Sequence, residues 1–279
     1  MMESNRRTIS GVLGAAMLIG LAGCAAMVPE SGLEADAEKQ FGEMKKHVPL
    51  VQDPAVIDYV TCVTTAVVGA LDGRGADYEW ELAIFDQPQV NAFAMAGGKI
   101  AVYSGLLNVA ANDSQLAAVI GHEIAHVTER HVAERMARAV ATNVGTNVVA
   151  GVVLPGQNIN AARGISTAIG MGAQFGLLLP FNRAQESEAD EEGLIFMARA
   201  GFDPRESVNL WQNMAASNGR KVPEFLSTHP SSDTRIDKLV SNFPSALLAY
   251  NEAKQAGRNP SCNRPASLGQ PRRAGDQSQ

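Results

Sequence analysis

The segment VIGHEIAHVTERH, Val119 to His131, holds three of the chain's five histidines. His122 and His126 are four residues apart, and on an α-helix side chains at i and i+4 stack on one face, so two imidazoles can converge on one point. Glu123 follows the first histidine and projects to the side of the pair, within reach of a water on a bound ion but awkwardly placed to bind the ion itself. His-Glu-x-x-His is the arrangement used by zinc peptidases, with two ligands and a general base in little more than one turn. Burying two histidines and a glutamate unpaired is costly, and a metal removes that cost.

A catalytic zinc takes three protein ligands and keeps a fourth position for water. Where a metzincin has its third histidine this chain has Val132, and His131 is one residue out of register. From Arg135 to Gln185 there is no Asp, Glu, His or Cys, which excludes a thermolysin-like glutamate shortly after the motif. The first carboxylate beyond is Glu186. Glu186 and Asp190 are four apart and share a face, with Glu188 turned away. Glu186 can then bind the metal while Asp190 orients a histidine ligand through its ring N–H. The alternative is a solvated acidic helix start, since acids favour helix N-termini.

The elements that must position these residues can be read from patterning. NDSQLAAVIGHEIAHV offers Asn112, Asp113 or Ser114 as N-cap, then apolar Leu116, Val119, Ile120, Ile124 and Val127 at helical intervals. DPAVIDYVTCVTTAVVGALDGRG reads as a helix with Asp53 as cap, Pro54 at the first position and Gly73 past the end. YEWELAIFD and KIAVYSG alternate like strands, and NAFAMAGG supplies a short strand and a Gly97–Gly98 turn that folds Lys99 to Tyr103 back as a hairpin. FNRAQESEADEEGLIFMARAGF is a helix ending near Gly201. DPRESVNLWQNMA begins another, with Asp203 as cap, Pro204 at the first position and Glu206 completing a capping box. STHPSSDTRIDKLVSNF places His229 on a loop before a last helix. The acid-free stretch 135–185 is either a helical lid over the site or a plain pair of core helices.

The 279 residues and formal charge of −6 fit one globular domain with tails. Basic residues form no long block, so nucleic acid is excluded as a partner. NRRTISGVLGAAMLIGLAGC is a basic segment, an apolar run and small residues before a cysteine. It resembles a bacterial lipoprotein signal over residues 1–23, with LAGC as the lipobox. That implies cleavage before Cys24, acylation of its thiol and a lipidated tether over 24–35; a simple transmembrane anchor is the alternative. Ala25 after the cysteine resembles lipoproteins sent to the outer membrane. Cys62 and Cys262 then remain in a disulfide-permissive compartment and are expected to pair. The folded domain is expected over 36–257, with a disordered tail over 258–279.

NAFAMAGGKIAVYSGLL, GHEIAHVTERH, FNRAQESEADEEGL and STHPSSDTRI, in this order, resemble the HtpX-like and CAAX prenyl protease family of zinc metallopeptidases, and within it the periplasmic lipoprotein members. The resemblance covers about residues 50 to 245. It implies an α+β, mainly helical fold, a zincin-like (gluzincin) metallopeptidase domain with a small β-sheet beside the HExxH helix. It also implies His122, His126 and Glu186 as ligands of one zinc ion, Glu123 as catalytic base, Asp190 behind a ligand and His229 near the site. His229 can stabilise an oxyanion, or occupy the open zinc position and hold the enzyme latent. An exposed edge strand at Lys99, Ile100, Ala101, Val102 and Tyr103 is expected to take an extended peptide by strand addition, which favours unfolded or misfolded protein substrates. With the lipid anchor, this suggests quality control of envelope proteins. A chaperone or assembly factor working with the outer-membrane assembly machinery, its zinc structural or latent, is the alternative from another class.

Overall fold

The computed structural model describes residues 29–137, 181–216, 224–229 and 233–269. The signal segment with Cys24, most of the acid-free stretch and residues 270–279 lie outside the described residues. Six helices and one sheet carry the argument: α1 (Glu30–His47), α2 (Pro54–Val68), β1 (Glu81–Phe85), β2 (Ala92–Met95), β3 (Lys99–Tyr103), α3 (Asp113–Thr128), α4 (Arg183–Arg199), α5 (Glu206–Ala216) and α6 (Asp233–Gln255). The fold is mainly helical with one small sheet, as expected.

Helix α3 is the centre of the molecule. Asn112 is its N-cap, with Oδ1 accepting from Gln115 N at 2.8 Å. Every residue from Ser114 to Val127 is buried, so the HExxH motif sits on a helix surrounded by protein rather than on a surface stripe. Leu116, Ile120 and Ile124 have no exposed area and join a core with α2, α4 and α5. Asp53 caps α2 by accepting from Ala55 N, but the helix stops at Gly69 rather than at Gly73, whose positive φ opens a further short turn at Arg74–Asp77. Helix α4 starts on Asn182, whose side chain accepts from Ala184 and Gln185 N, with Gln185 closing a capping box. Helix α5 begins only at Glu206, whose carboxylate takes hydrogen bonds from Asn112 and Gln115 side chains instead of closing a box on Asp203.

The sheet departs from expectation in one respect. β2 and β3 form the antiparallel hairpin across Gly97 and Gly98, both at positive φ. However, β1 adds in parallel to the other side of β3, with Glu81 opposite Lys99 and Phe85 opposite Tyr103. The order is β1-β3-β2, so Lys99, Ile100, Ala101, Val102 and Tyr103 form the central strand and have no free edge. A parallel partner requires a long crossover connection. Local patterning reveals a hairpin but not which segment pairs on its other side.

Two boundaries also shift. Helix α1 begins at Glu30, inside the expected tether, and docks through Leu33, Ala37 and Phe41. Cys62 and Cys262 are joined by a disulfide with Cα atoms 5.7 Å apart, and the chain beyond 257 continues in packed form to Gly269. Arg264 donates to Leu107 O at 2.9 Å there, so this part of the tail is strapped to the domain rather than loose. Among the described residues no helix is long and apolar enough to cross a membrane.

The crossing of α3 and α4 sets the distance between the two halves of the site. A Cβ on Gly121 would stand 2.6 Å from Gly193 O, and one on Gly193 would stand 2.6 Å from His122 N. These obstacles are backbone atoms and cannot rotate away. Gly193→Ala is therefore expected to cost about 1–3 kcal/mol of stability through overpacking, measured by urea unfolding. A variant as stable as wild type would show that the helices can part freely.

Candidate active site

The described residues bring four ligand atoms together from three segments. His122 Nε2 and His126 Nε2, on one face of α3, are 3.1 Å apart. Glu186, on the first turn of α4, places Oε1 3.5 Å from His126 Nε2 and Oε2 3.6 Å from His122 Nε2. His229, just past the short helix Glu224–Thr228, places Nδ1 3.2 Å from His122 Nε2 and 3.1 Å from Glu186 Oε1. All four side chains are buried, and one ligand atom from each lies within 4.8 Å of the others. A tetrahedral zinc with bonds of ~2.0–2.1 Å holds its ligand atoms about 3.3 Å apart. The spacing and the three-imidazole, one-carboxylate donor set therefore fit such an ion.

Glu123 lies beside this group, 2 % exposed. Its Oε2 accepts from Ala94 N on β2 at 3.3 Å, while Oε1 has no hydrogen-bond partner and stands 3.4 Å from His229 Nε2. Burial raises the Glu123 carboxyl above its ordinary value, against the lowering effect of His229 and His122. His126 is pushed well below the ordinary imidazole value by burial, more than its bond to Glu186 can offset. For Glu186 the balance is the reverse: burial opposes ionisation, yet His126 and His229 hold the carboxyl well below its usual range. One deprotonated imidazole and one ionised carboxylate are the states a zinc ligand needs.

Each ligand is braced from behind. His122 Nδ1 lies 3.1 Å from Asp190 Oδ1, one turn along α4 from Glu186. Asp190 is gripped in turn by the Arg235 fork, with Nε to Oδ2 and Nη2 to Oδ1 both at 2.7 Å. The third nitrogen of that guanidinium, Nη1, reaches Glu186 Oε2 at 2.6 Å, and the whole group lies over the Trp211 ring at 4.1 Å. Phe181 stacks on the His126 ring at 3.7 Å and carries Arg135 on its other side at 3.4 Å, while Phe225 stacks on His229 at 4.5 Å. The result is a charged cluster walled by aromatic rings, where water is scarce and fixed charges act strongly.

Arg235, His131, Phe181 and Trp211 were not singled out as functional in the sequence. Arg235 is a lone cation in the first turn of α6, and only its position inside the STHPSSDTRI block sets it apart. His131 misses the metzincin register by one residue, yet its ring packs against His126. Cys24 lies outside the described residues, and the disulfide Cys62–Cys262 is remote from the site chemistry.

An HExxH helix, a carboxylate from a second helix and a small sheet beside them define a zincin-like metallopeptidase domain. The chain belongs to peptidase family M48, whose family model matches residues 57–242. It is 39 % identical over 194 residues to the mitochondrial metalloendopeptidase OMA1 of Schizosaccharomyces pombe, covering 68 % of this chain and 54 % of that protein. It is 32 % identical over 213 residues to the beta-barrel assembly-enhancing protease of Yersinia pestis, covering 73 % of this chain and 43 % of the relative. Identity to the Escherichia coli K12 protein of the same name is 29 % over 258 residues, with coverage of 85 % and 52 %. The chain thus spans about half the length of these curated relatives.

Replacing Arg235 removes a fork that compensates two buried carboxylates. Arg235→Met is expected to cost about 3–5 kcal/mol, the range for breaking a buried ion pair. Arg235→Lys should recover only part of this, because an ammonium cannot span both acids. Urea unfolding in the presence of a chelator measures both; a neutral Arg235→Met would remove the fork from this account.

Proposed function

We propose that this chain is the zinc-dependent endopeptidase domain of a bacterial envelope protein, acting on unfolded or misassembled polypeptides. The observation that carries the reading is the convergence of His122, His126 and Glu186 on one point with the buried carboxylate of Glu123 beside it. In this reading those three hold the ion, Glu123 is the base, and Asp190 fixes the His122 ring. A bound zinc ion supplies Lewis acidity, polarising a peptide carbonyl and bringing the pKa of a water toward neutrality. Glu123 takes a proton from the attacking water and delivers it to the leaving nitrogen as the C–N bond breaks. Its burial suits this task, since raising the carboxyl's proton affinity makes it a stronger base for the water's proton.

Substrate alignment is assigned to β2 rather than to Lys99–Tyr103. Ala94 turns its N–H away from β3 toward Glu123, so a peptide laid along this side of β2 passes beside the base. Strand addition needs an extended chain, which selects unfolded segments. We further place the chain with the HtpX-like and CAAX protease relatives in the lipoprotein branch. Cys24 is its acylated anchor in the outer membrane, the domain runs from the start of α1 at Glu30 to Gly269, and outer-membrane assembly machinery is a partner. The names of the Yersinia pestis and Escherichia coli relatives support that setting.

His229 supports a second reading of the resting state. Its Nδ1 stands at the fourth corner of the donor set and its Nε2 faces Glu123, so in this geometry it closes the position that substrate and water need. This is the latch rather than the oxyanion donor, and it keeps open a chaperone role for the closed form.

The test uses the full chain in detergent with an unfolded protein substrate. Glu123→Gln is expected to lower cleavage by about 10²–10⁴-fold while zinc content, read by elemental analysis, stays at one per chain. Equal cleavage by the two proteins would reject the peptidase reading. His229→Ala is expected to raise the rate if it is a latch. A fall of about 10²–10³-fold would instead mark it as an oxyanion donor.

A further inference from the structure

His131 lies five residues after His126, and on a continuous helix the two would point to different faces. They meet because α3 ends at Thr128 and Arg130 takes φ 58, a left-handed conformation unusual for a residue with a Cβ. Such a conformation is unfavourable for a residue with a Cβ and persists where the surroundings over-determine it. Here the turn swings the next residue back, and a new helical segment starts over 131–137. His131 becomes 1 % exposed, with its Nδ1 2.8 Å from His126 Nδ1. Its other nitrogen, Nε2, is 3.2 Å from Glu188 Oε2.

We infer that His131 and Glu188 are positioning residues for the metal, a relay that holds His126 with its Nε2 turned to the ion. The inference rests on the zinc reading above. With His126 Nε2 as ligand, its hydrogen is on Nδ1, and across a 2.8 Å contact only one of the two facing nitrogens can carry one. His131 Nδ1 is then the acceptor, its own hydrogen sits on Nε2, and that N–H points at the Glu188 carboxylate. One set of tautomers satisfies every contact in the chain Glu188–His131–His126. A carboxylate behind an imidazole in this way makes the ligand more basic and fixes its ring.

The backbone supports the same purpose. Gln185 Nε2 donates to His131 O at 3.3 Å and to Glu134 Oε2 at 2.9 Å. The first two turns of α4 therefore supply Gln185 to the His131 carbonyl, Glu186 to the metal position and Glu188 to the His131 ring. His122 is backed by a buried carboxylate directly, while His126 is backed through a second imidazole whose carboxylate is 56 % exposed.

The experiment measures zinc affinity of the full chain in detergent by chelator competition, together with long-range ¹H–¹⁵N spectra of the histidine rings. His131→Leu is expected to weaken zinc about 10–100-fold. His131→Asn should recover most of this loss, because its Oδ1 can accept the same hydrogen. Glu188→Ala, at an exposed position that should not disturb folding, should give a smaller loss. In zinc-loaded wild type, His131 should carry its hydrogen on Nε2 and His126 on Nδ1. Wild-type affinity in a folded His131→Leu, or a His131 ring protonated on Nδ1, overturns the inference. If His131→Leu does not fold, unchanged affinity and ring shifts in Glu188→Ala overturn it. A wild type that takes up no zinc overturns the zinc reading as well, whereas normal zinc in the wild type with unaltered variants overturns only the relay.

Discussion

Two helices can share one ion only if their backbones come close, and the contact of Gly121 with Gly193 sets that closeness here. With no side chain at either crossing point, α3 and α4 touch backbone to backbone one residue before His122. Glu186 then lies seven residues before the crossing and Asp190 three before it, which puts both acids beside the two imidazoles. Any larger residue would move a carboxylate away from its partners, and the chemistry follows from that separation more than from any single hydrogen bond.

What the crossing creates is a concentration of buried charge that the protein must balance. Glu123, Glu186 and Asp190 are all nearly inaccessible to water, as are His122, His126 and His229. Desolvation alone would neutralise the acids. The compensation is built in depth: Arg235 takes one oxygen of Glu186 and both of Asp190, and the imidazoles take what remains. Glu123 is left with a single backbone donor, so its carboxyl shifts upward while Glu186 shifts downward. Two glutamates in one pocket are thus driven apart in proton affinity by their neighbours, which suits the base and ligand roles proposed for them.

The sheet contributes position rather than stability of the charges. β2 stands between β3 and the site, and its Ala94 N–H is the backbone group that touches Glu123. Helix α1 and the disulfide-linked tail hold the outer surfaces, Phe41 under the sheet and Cys262 against α2.

The local parts of this arrangement were legible in the residues themselves. Helical periodicity is a short-range property, so the start of α3 to within three candidate caps, the i,i+4 histidines and the shared face of Glu186 and Asp190 could be read directly. The acid-free interval to Glu186 narrowed the third donor by elimination. Pairing across long loops is not encoded in any window, which is why β3 reads as an edge and proves central once β1 joins it. The same limit hid Arg235 and His131. Arg235 acquires meaning only when α6 packs on α4, and His131 only when a left-handed Arg130 turns it back. Residue types and spacing along α3 determined the two histidines and the glutamate proposed as ligands and base. The three-dimensional fold decided what stands behind them, because those contacts join segments tens of residues apart.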